Sequence, residues 1–266
     1  MGLEQGERKV SISTGALWPI AGESIGDRVA SGFQMVDGLF DSGVVAGLEV
    51  MFKDNGQIKD FLRVLDMTML SEFRRVVDRG AVLTLHAPKP PEDVVYGSGS
   101  KTEMDMYAEL REVYEVMSGI NIFYTVFHAG WFNEVFIQEK LFPHQTAYEN
   151  SDKQHTKWRS AKEMGKLVHK TGAWGVMDAA HLNSIGAGPR EAQAMIDALG
   201  DDLAAFHMSG IKPRKIEHMP VTRMNGSKAR MVSLLEPIKK HPAAVILESP
   251  VESVVVALDE LSLVLQ

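Results

Sequence analysis

Six of the eight predicted strands in this sequence end at a residue of a type that binds metal ions in proteins. The clearest case lies in residues 174–186, where a short apolar run ends at Asp178 and is followed by His181. Asp178 offers an anionic oxygen and His181 an imidazole nitrogen, and both are suited to zinc or manganese. A single pair of this kind more often caps a helix than binds a metal. The other strand ends make the pattern informative, and they carry His86, His128, Glu149, His207 and Glu248.

The elements that position these residues alternate regularly between strand and helix. Apolar runs predict buried strands, and apolar residues at helical spacing predict the intervening helices. The predicted strands are 9–16, 44–52, 81–85, 121–127, 146–148, 174–177, 203–206 and 243–247, and the predicted helices are 25–40, 58–78, 104–117, 158–170, 189–199, 228–240 and 251–265. Eight alternations without a linker-like change in composition predict a single (β/α)8 TIM barrel domain over residues 1–266. Active sites in such barrels lie at the C-terminal ends of the strands.

Composition narrows the chemistry further. The chain has 266 residues, 45% of them hydrophobic, and it has no cysteine, so a metal site must be built from His, Asp and Glu. The formal net charge of −7 gives no overall attraction to nucleic acid. A basic stretch after the seventh strand contains Lys212, Arg214, Lys215 and Arg223. It is either a site for a phosphate or a nucleic-acid backbone, or a solvated loop. No segment has the character of a signal peptide or a membrane span, so we expect a cytoplasmic protein.

The candidate ligands outnumber what one metal ion needs. One divalent ion takes about four protein ligands, and four are already present in Glu149, Asp178, His207 and Glu248. The remaining candidates are His86, His128, His181 and, in the loop after the seventh strand, His218. This surplus suits two or three metals, which cleave phosphoesters by activating water and stabilising the reacting oxygens. A single metal between two glutamates instead suits proton transfer beside a sugar carbonyl, so both interpretations stay open.

The segments that carry these residues resemble the endonuclease IV family, within the wider xylose-isomerase-like barrels. They read LHAP, FHAG, ENSD, DAAHLNSIG, HMSGIK and LESP. The resemblance implies a first zinc bound by His86 and His128, with Glu149 bridging to a second zinc. It implies that the second zinc is completed by Asp178, His207 and Glu248, and that a third is held by His181 and His218. It also implies cleavage of a phosphodiester, such as that at an abasic site in DNA, with Glu149 and Glu248 as the catalytic residues.

The sequence departs from that family at Ile216, at Lys89 and in its opening ISTGAL, which lacks the family's histidine. Ile216 stands where the family has an aspartate two residues before the loop histidine, which bears on the third zinc. Lys89 stands where the family often has an aromatic residue that helps to open DNA. Sugar isomerases and epimerases of the same superfamily resemble the four-residue set of Glu149, Asp178, His207 and Glu248 equally well. That resemblance implies one manganese or magnesium ion, a small sugar or sugar phosphate as substrate, and Glu149 and Glu248 as the acid–base pair.

Residues beside the predicted site offer further candidates. Trp131 and Phe132 directly follow His128, and they either line the pocket against a base or sugar or pack under the loop. The histidines in loops or on helices lie away from the strand ends and are excluded from the predicted site, namely His144, His155, His169 and His241. No pattern in the sequence indicates an oligomeric state.

Overall fold

Eight parallel strands close into a barrel in a computed structural model that describes residues 9–89, 99–129, 131, 146–212, 218–226 and 228–265. The barrel strands are β1 (Val10–Ser13), β2 (Ala46–Met51), β3 (Val82–His86), β4 (Ile122–His128), β5 (Thr146–Glu149), β6 (Trp174–Asp178), β7 (Leu203–Met208) and β10 (Ala244–Leu247). Their order around the barrel is β1-β10-β7-β6-β5-β4-β3-β2. A small antiparallel pair, β8 (Gly210–Ile211) and β9 (His218–Met219), follows β7. The closed parallel barrel confirms the predicted fold class.

Helices connect the strands and pack around the barrel. They are α1 (Trp18–Ala21), α2 (Ile25–Asp41), α3 (Asn55–Val64), α4 (Met67–Asp78), α5 (Lys101–Val116), α6 (Ala161–Thr171), α7 (Ala179–Ser184), α8 (Pro189–Leu199), α9 (Lys228–Lys239) and α10 (Val254–Leu265). In α2 the predicted apolar stripe is buried, because Val29, Phe33 and Val36 lie three or four positions apart on one face. Phe33 meets Phe73 of α4 edge to face, with ring centroids 4.8 Å apart. No helix in the described ranges is long and apolar enough to cross a membrane.

The predicted helix over residues 58–78 is wrong, because two helices occupy this stretch. α3 ends at Val64, and Asp66 begins α4 by accepting a hydrogen bond from Met69 N at 2.8 Å. An aspartate in this N-cap position satisfies a backbone donor that no earlier carbonyl could serve. The helix predicted from Trp158 also starts later, at Ala161, because Trp158 has φ +61° and Ser160 caps α6.

Alternation along the strands divides the barrel interior into layers. Successive side chains of a strand point to opposite faces, so every second residue enters the barrel. The apolar interior layer consists of Tyr124, Val126, Ala147, Val176, Ala205 and Ile246. Each of the five strands that carry this layer has a predicted ligand two residues after a layer residue, at its C-terminal end. These ligands are His128, Glu149, Asp178, His207 and Glu248. The same alternation that buries the apolar layer therefore directs the predicted ligands into the mouth of the barrel.

Candidate metal centre

Strand register brings the predicted ligands side by side. His128 pairs with Glu149 across β4 and β5, and Asp178 pairs with His207 across β6 and β7. Three sets of ligand atoms lie within 4.8 Å of one another among the described residues: His86–His128–Glu149, His86–His207–Glu248, and Glu149–Asp178–His207–Glu248. Six of the predicted ligands are therefore assembled in one buried cluster at the barrel mouth. We call the first of these sets the histidine group and the third the carboxylate group.

In the histidine group, two imidazoles approach one carboxylate oxygen. His86 Nδ1 lies 2.9 Å from the carbonyl oxygen of Ala87, which can only accept, so this nitrogen carries the proton. His86 Nε2 is thereby left with a free lone pair, 3.4 Å from Glu149 Oε2. His128 Nδ1 lies 2.8 Å from the same oxygen. Although these two nitrogens are close to it, Glu149 Oε2 has no well-aligned hydrogen bond among the described residues, and a cation between these atoms would satisfy it.

The second oxygen of Glu149 belongs to the carboxylate group. Glu149 Oε1 lies 2.9 Å from His207 Nδ1, and Glu248 Oε1 lies 3.3 Å from the same nitrogen. Asp178 Oδ1 accepts the backbone N–H of His181 at 2.7 Å, whereas the buried Oδ2 has no partner among the described residues. Glu149 thus presents one oxygen to each group. A carboxylate in this position could contribute one oxygen to each of two neighbouring ligand sets.

Burial and mutual proximity shift the pKa values of the acidic side chains of the cluster in different directions. Burial and the nearby carboxylates raise the pKa of Glu248 well above its usual value, against the opposing charge of His207. Burial also raises the pKa of Asp178. Burial acts on Glu149 as well, but the charges of His128 and His207 outweigh it and hold the pKa of Glu149 well below its usual value. A metal ion bound among these side chains would favour the ionised form of the carboxylates.

His181 and His218 lie at the edge of this cluster. His181 Nδ1 meets the carbonyl oxygen of Asn150 at 2.7 Å, so its Nε2 is unprotonated in the neutral ring, 3.9 Å from Asp178 Oδ2. His218 Nδ1 lies 3.6 Å from Glu248 Oε2 and 2.7 Å from Ser209 Oγ. Within the described ranges neither histidine joins a set of three close ligand atoms. Ile216 lies outside these ranges, so a third metal site stays a prediction.

Glu49 is a buried acidic residue of the cluster that sequence reasoning missed. It is fully buried in β2, and its Oε2 lies 3.2 Å from His207 Nε2. A proton on Nε2 donated to Glu49 leaves the Nδ1 lone pair of His207 for a metal, as in the carboxylate–histidine–metal arrangements of metalloproteins. The sequence does contain a signal for it, because Glu49 is the single charged residue inside the apolar run VVAGLEVMF.

Asn150 fastens the ends of two ligand-bearing strands together. Its Oδ1 accepts the backbone N–H of Asp178 at 2.6 Å, and its Nδ2 donates to the Asp178 carbonyl oxygen at 3.3 Å. Asn150 directly follows Glu149, the last residue of β5. The paired bonds therefore hold Asp178, the last residue of β6, in a fixed position relative to Glu149. These bonds give the amide that directly follows Glu149 a structural role.

Trp131 lies against the histidine group at the mouth of the barrel. Its ring centroid is 5.0 Å from that of His128, and its Nε1 donates to His155 Nδ1 at 2.6 Å. His155 was excluded from the predicted site, but it contacts Trp131 and therefore lies close to the histidine group. Phe132 and His144 lie outside the described residues.

Two of the four residues in the predicted basic stretch can be placed. Arg223 is exposed and pairs with Glu252 at 3.2 Å, so its charge is already shared with a carboxylate. Lys212 follows β8 on the strand-end side of the barrel. Arg214 and Lys215 lie outside the described residues, so phosphate binding by this stretch stays a prediction.

Comparison with known proteins relates this chain by fold. No family model and no curated protein matches its sequence. Among solved structures, AsfvAP:AG is similar with a TM-score of 0.63 and 15% identity over 97% of each chain. A D-tagatose 3-epimerase-like protein gives 0.62 and 13%, covering 96% of this chain and 94% of that one. SacUVDE gives 0.60 and 11%, covering 97% and 98%.

These similarities are similarities of fold, and they agree with the closed (β/α)8 barrel of this chain. At identities of 11% to 15% they show the fold alone. The function has to be argued from the residues at the barrel mouth.

Proposed function

We propose that the protein is a metal-dependent phosphoesterase that holds two or three zinc ions and cleaves a phosphodiester, such as that at an abasic site in DNA. The observation that carries the proposal is the bridging position of Glu149, whose Oε2 faces the histidine group and whose Oε1 faces the carboxylate group. A one-metal enzyme needs only the carboxylate group. In such an enzyme the paired imidazoles of His86 and His128 would have no metal to bind.

The donor set fits the metals that the proposal requires. Imidazole nitrogens and carboxylate oxygens are the usual zinc ligands in a protein without cysteine. His86 and His128 would hold one ion, Asp178 and His207 would help to hold another, and Glu149 would bind both. Paired divalent ions neutralise the scissile phosphate and lower the pKa of a bound water.

The three glutamates of the cluster have separate roles in this proposal. Glu149 fixes the spacing of the two ligand groups, because one rigid carboxylate reaches both. Glu248 lies 3.3 Å from His207 and would orient the attacking water at the same edge of the cluster. Glu49 holds His207 from the far side and keeps its metal-facing nitrogen in place.

A second function, isomerisation or epimerisation of a sugar or sugar phosphate with one manganese or magnesium ion, is favoured by a different observation. Glu149 and Glu248 have pKa values displaced in opposite directions, down for Glu149 and up for Glu248. Two carboxylates with separated pKa values suit a base and an acid acting on opposite sides of a substrate. In this alternative the carboxylate group binds the metal, and the two glutamates transfer the proton.

The two functions are separated by assaying one zinc-loaded and one manganese-loaded preparation. The substrates are duplex DNA with a single abasic site, intact duplex DNA, and a panel of ketoses with their phosphates. The phosphoesterase proposal expects cleavage of the abasic strand only, by the zinc-loaded protein. Glu149→Gln should abolish this cleavage, while Glu252→Gln, which changes an exposed glutamate after β10, should retain it. Interconversion of ketoses without DNA cleavage would overturn the proposal in favour of the alternative.

A further inference from the structure

A cation and an aromatic ring lie together beside the histidine group, and the metal chemistry described above uses neither. Lys89 is exposed after β3, and its Nζ lies 5.3 Å from the centroid of the Trp131 ring. The same ring lies 5.0 Å from that of His128, measured between centroids. One indole therefore contacts both the ammonium and a predicted metal ligand. An ammonium at this distance from an aromatic face is held by cation–π attraction.

The indole is fixed in place before any substrate arrives. Trp131 Nε1 donates to His155 Nδ1 at 2.6 Å, and the two ring centroids lie 4.5 Å apart. Because Nδ1 accepts this bond, His155 Nε2 carries the proton of the neutral ring. Trp131 is half-buried, with His128 and His155 packed against it. A surface held in this way binds a ligand at little cost in conformational entropy.

Lys89 lies at the mouth of the barrel. Its Nζ is next to the Trp131 ring, and that ring packs against His128 of the histidine group. A substrate entering the cluster from solvent would pass this charge.

We propose that Lys89 and Trp131 bind the anionic end of the substrate, with the ammonium holding a phosphate oxygen and the indole packing on the adjoining sugar or base. The inference deepens the proposed phosphoesterase function and rests on it for the identity of the substrate. An ammonium is a flexible point charge that suits a phosphate oxygen, and an indole face packs on sugar and base rings alike. A neutral sugar would leave the charge of Lys89 unused.

The test measures binding of thymidine 5′-monophosphate and of thymidine to the zinc-loaded protein by titration calorimetry. Lys89→Ala should weaken binding of the nucleotide about tenfold, the effect of one lost charged hydrogen bond, and leave thymidine unchanged. Lys89→Arg should restore most of the loss. Lys162→Ala, which removes an exposed lysine of α6, is the matched control. Trp131→Leu should weaken both ligands, with thermal unfolding used to show that each variant is folded.

The proposal is overturned if Lys89→Ala and Lys162→Ala bind the nucleotide equally well. It is also overturned if the unmodified protein binds the nucleotide no more tightly than thymidine. The same pair of measurements with D-fructose 6-phosphate and D-fructose shows whether a nucleotide or a sugar phosphate is the better source of the anion.

Failure of the subsite and failure of the function give different results. Cleavage of abasic DNA with the same KM in the Lys89→Ala and Lys162→Ala variants would reject the subsite and keep the phosphoesterase. A Lys89-dependent preference for phosphate-bearing ligands without DNA cleavage would keep the subsite and reject the phosphoesterase. A Lys89-dependent rise in KM, with kcat nearly unchanged, would support both.

Discussion

The histidine group and the carboxylate group share Glu149 but offer metals very different surroundings. The histidine group has two imidazoles and one carboxylate, whereas the carboxylate group has three carboxylates and one imidazole. Nitrogen-rich sites favour zinc, and oxygen-rich sites also accept manganese or magnesium. The carboxylate group by itself fits either candidate function. The histidine group is therefore the part of the molecule that distinguishes the two.

Burial also shifts the pKa values of the two groups in opposite directions. His128 has its pKa lowered well below its usual value, chiefly by burial. Glu248 has its pKa raised well above its usual value, chiefly by burial, because an uncompensated carboxylate is expensive in a dry interior. The carboxylate group therefore binds protons more tightly than His128 does, and a metal has to compete with these protons. The experiments below separate the groups, starting with the residue that joins them.

Glu149→Gln should have the largest effect, because it removes a charged ligand from both groups at once. Changes in outer-shell partners already cost about 10- to 100-fold in metal affinity, so loss of the shared ligand should cost more than about a hundredfold at each site. Metal content after dialysis, measured by mass spectrometry, checks this expectation. Full zinc content in Glu149→Gln would mean that Glu149 is not a shared ligand. Glu252→Gln is the control for a lost surface carboxylate.

His86→Ala and Asp178→Asn should each empty one group and spare the other. His86 Nε2 contacts Glu149 on the histidine side, and Asp178 belongs only to the carboxylate side. We expect each variant to bind fewer ions than the unmodified protein, and both to lose phosphoester cleavage. Epimerase activity that survives in His86→Ala but not in Asp178→Asn would instead support the one-metal alternative. Loss of every ion from His86→Ala would show that the groups do not bind independently.

Glu49→Gln should weaken the carboxylate group alone, and by less than loss of a ligand. The amide keeps an oxygen that can accept from His207 Nε2, but it removes the negative charge that strengthens the bond. We expect the affinity of the carboxylate group to fall about tenfold, within the range for outer-shell partners. Metal titration of the His86→Ala background, with and without Glu49→Gln, isolates this group. Equal affinities in the two proteins would mean that Glu49 does not act through His207.

The number of protons released when a metal binds should differ between the two groups. This is the smallest of the expected effects. Burial opposes protonation of His207, but the charges of Glu248, Glu49 and Glu149 outweigh it and raise the pKa of His207 well above its usual value. A metal must displace the protons held by His207 and Glu248, so the affinity of the carboxylate group should rise with pH until their folded-state pKa values are passed.

The histidine group should respond to pH less, because burial lowers the pKa of His128 and leaves no proton there to displace. Calorimetry of His86→Ala and Asp178→Asn in two buffers of different ionisation enthalpy counts the protons. Equal release from both groups would contradict the assigned protonation states.

Periodicity made the strands and their polar ends readable from the sequence. Parallel barrel strands are buried on both faces, so they appear as apolar runs, and His128 and Asp178 stand out where these runs stop. The break between α3 and α4 was not foreseen, because Asp66 interrupts an apolar pattern that continues on both sides. Its capping role depends on the local backbone, which a helical periodicity does not report.

Glu49 and His155 show where sequence reasoning about the site fails. Glu49 lies inside an apolar run, and its link to His207 exists only once the barrel has closed. His155 lies in a loop far from His128 in the chain, and Trp131 connects them through packing and a hydrogen bond. Strand-end residues share one face in any parallel barrel, whereas these contacts depend on side-chain positions that the pattern does not encode.

The central claim is that Glu149 joins two metal sites. Crystals of the zinc-loaded protein, measured at wavelengths above and below the zinc absorption edge, test it directly. The account predicts at least two anomalous peaks on opposite sides of the Glu149 carboxylate, one near His86 and His128 and one near Asp178 and His207. A single peak within the carboxylate group, with His86 and His128 free of metal, would contradict it.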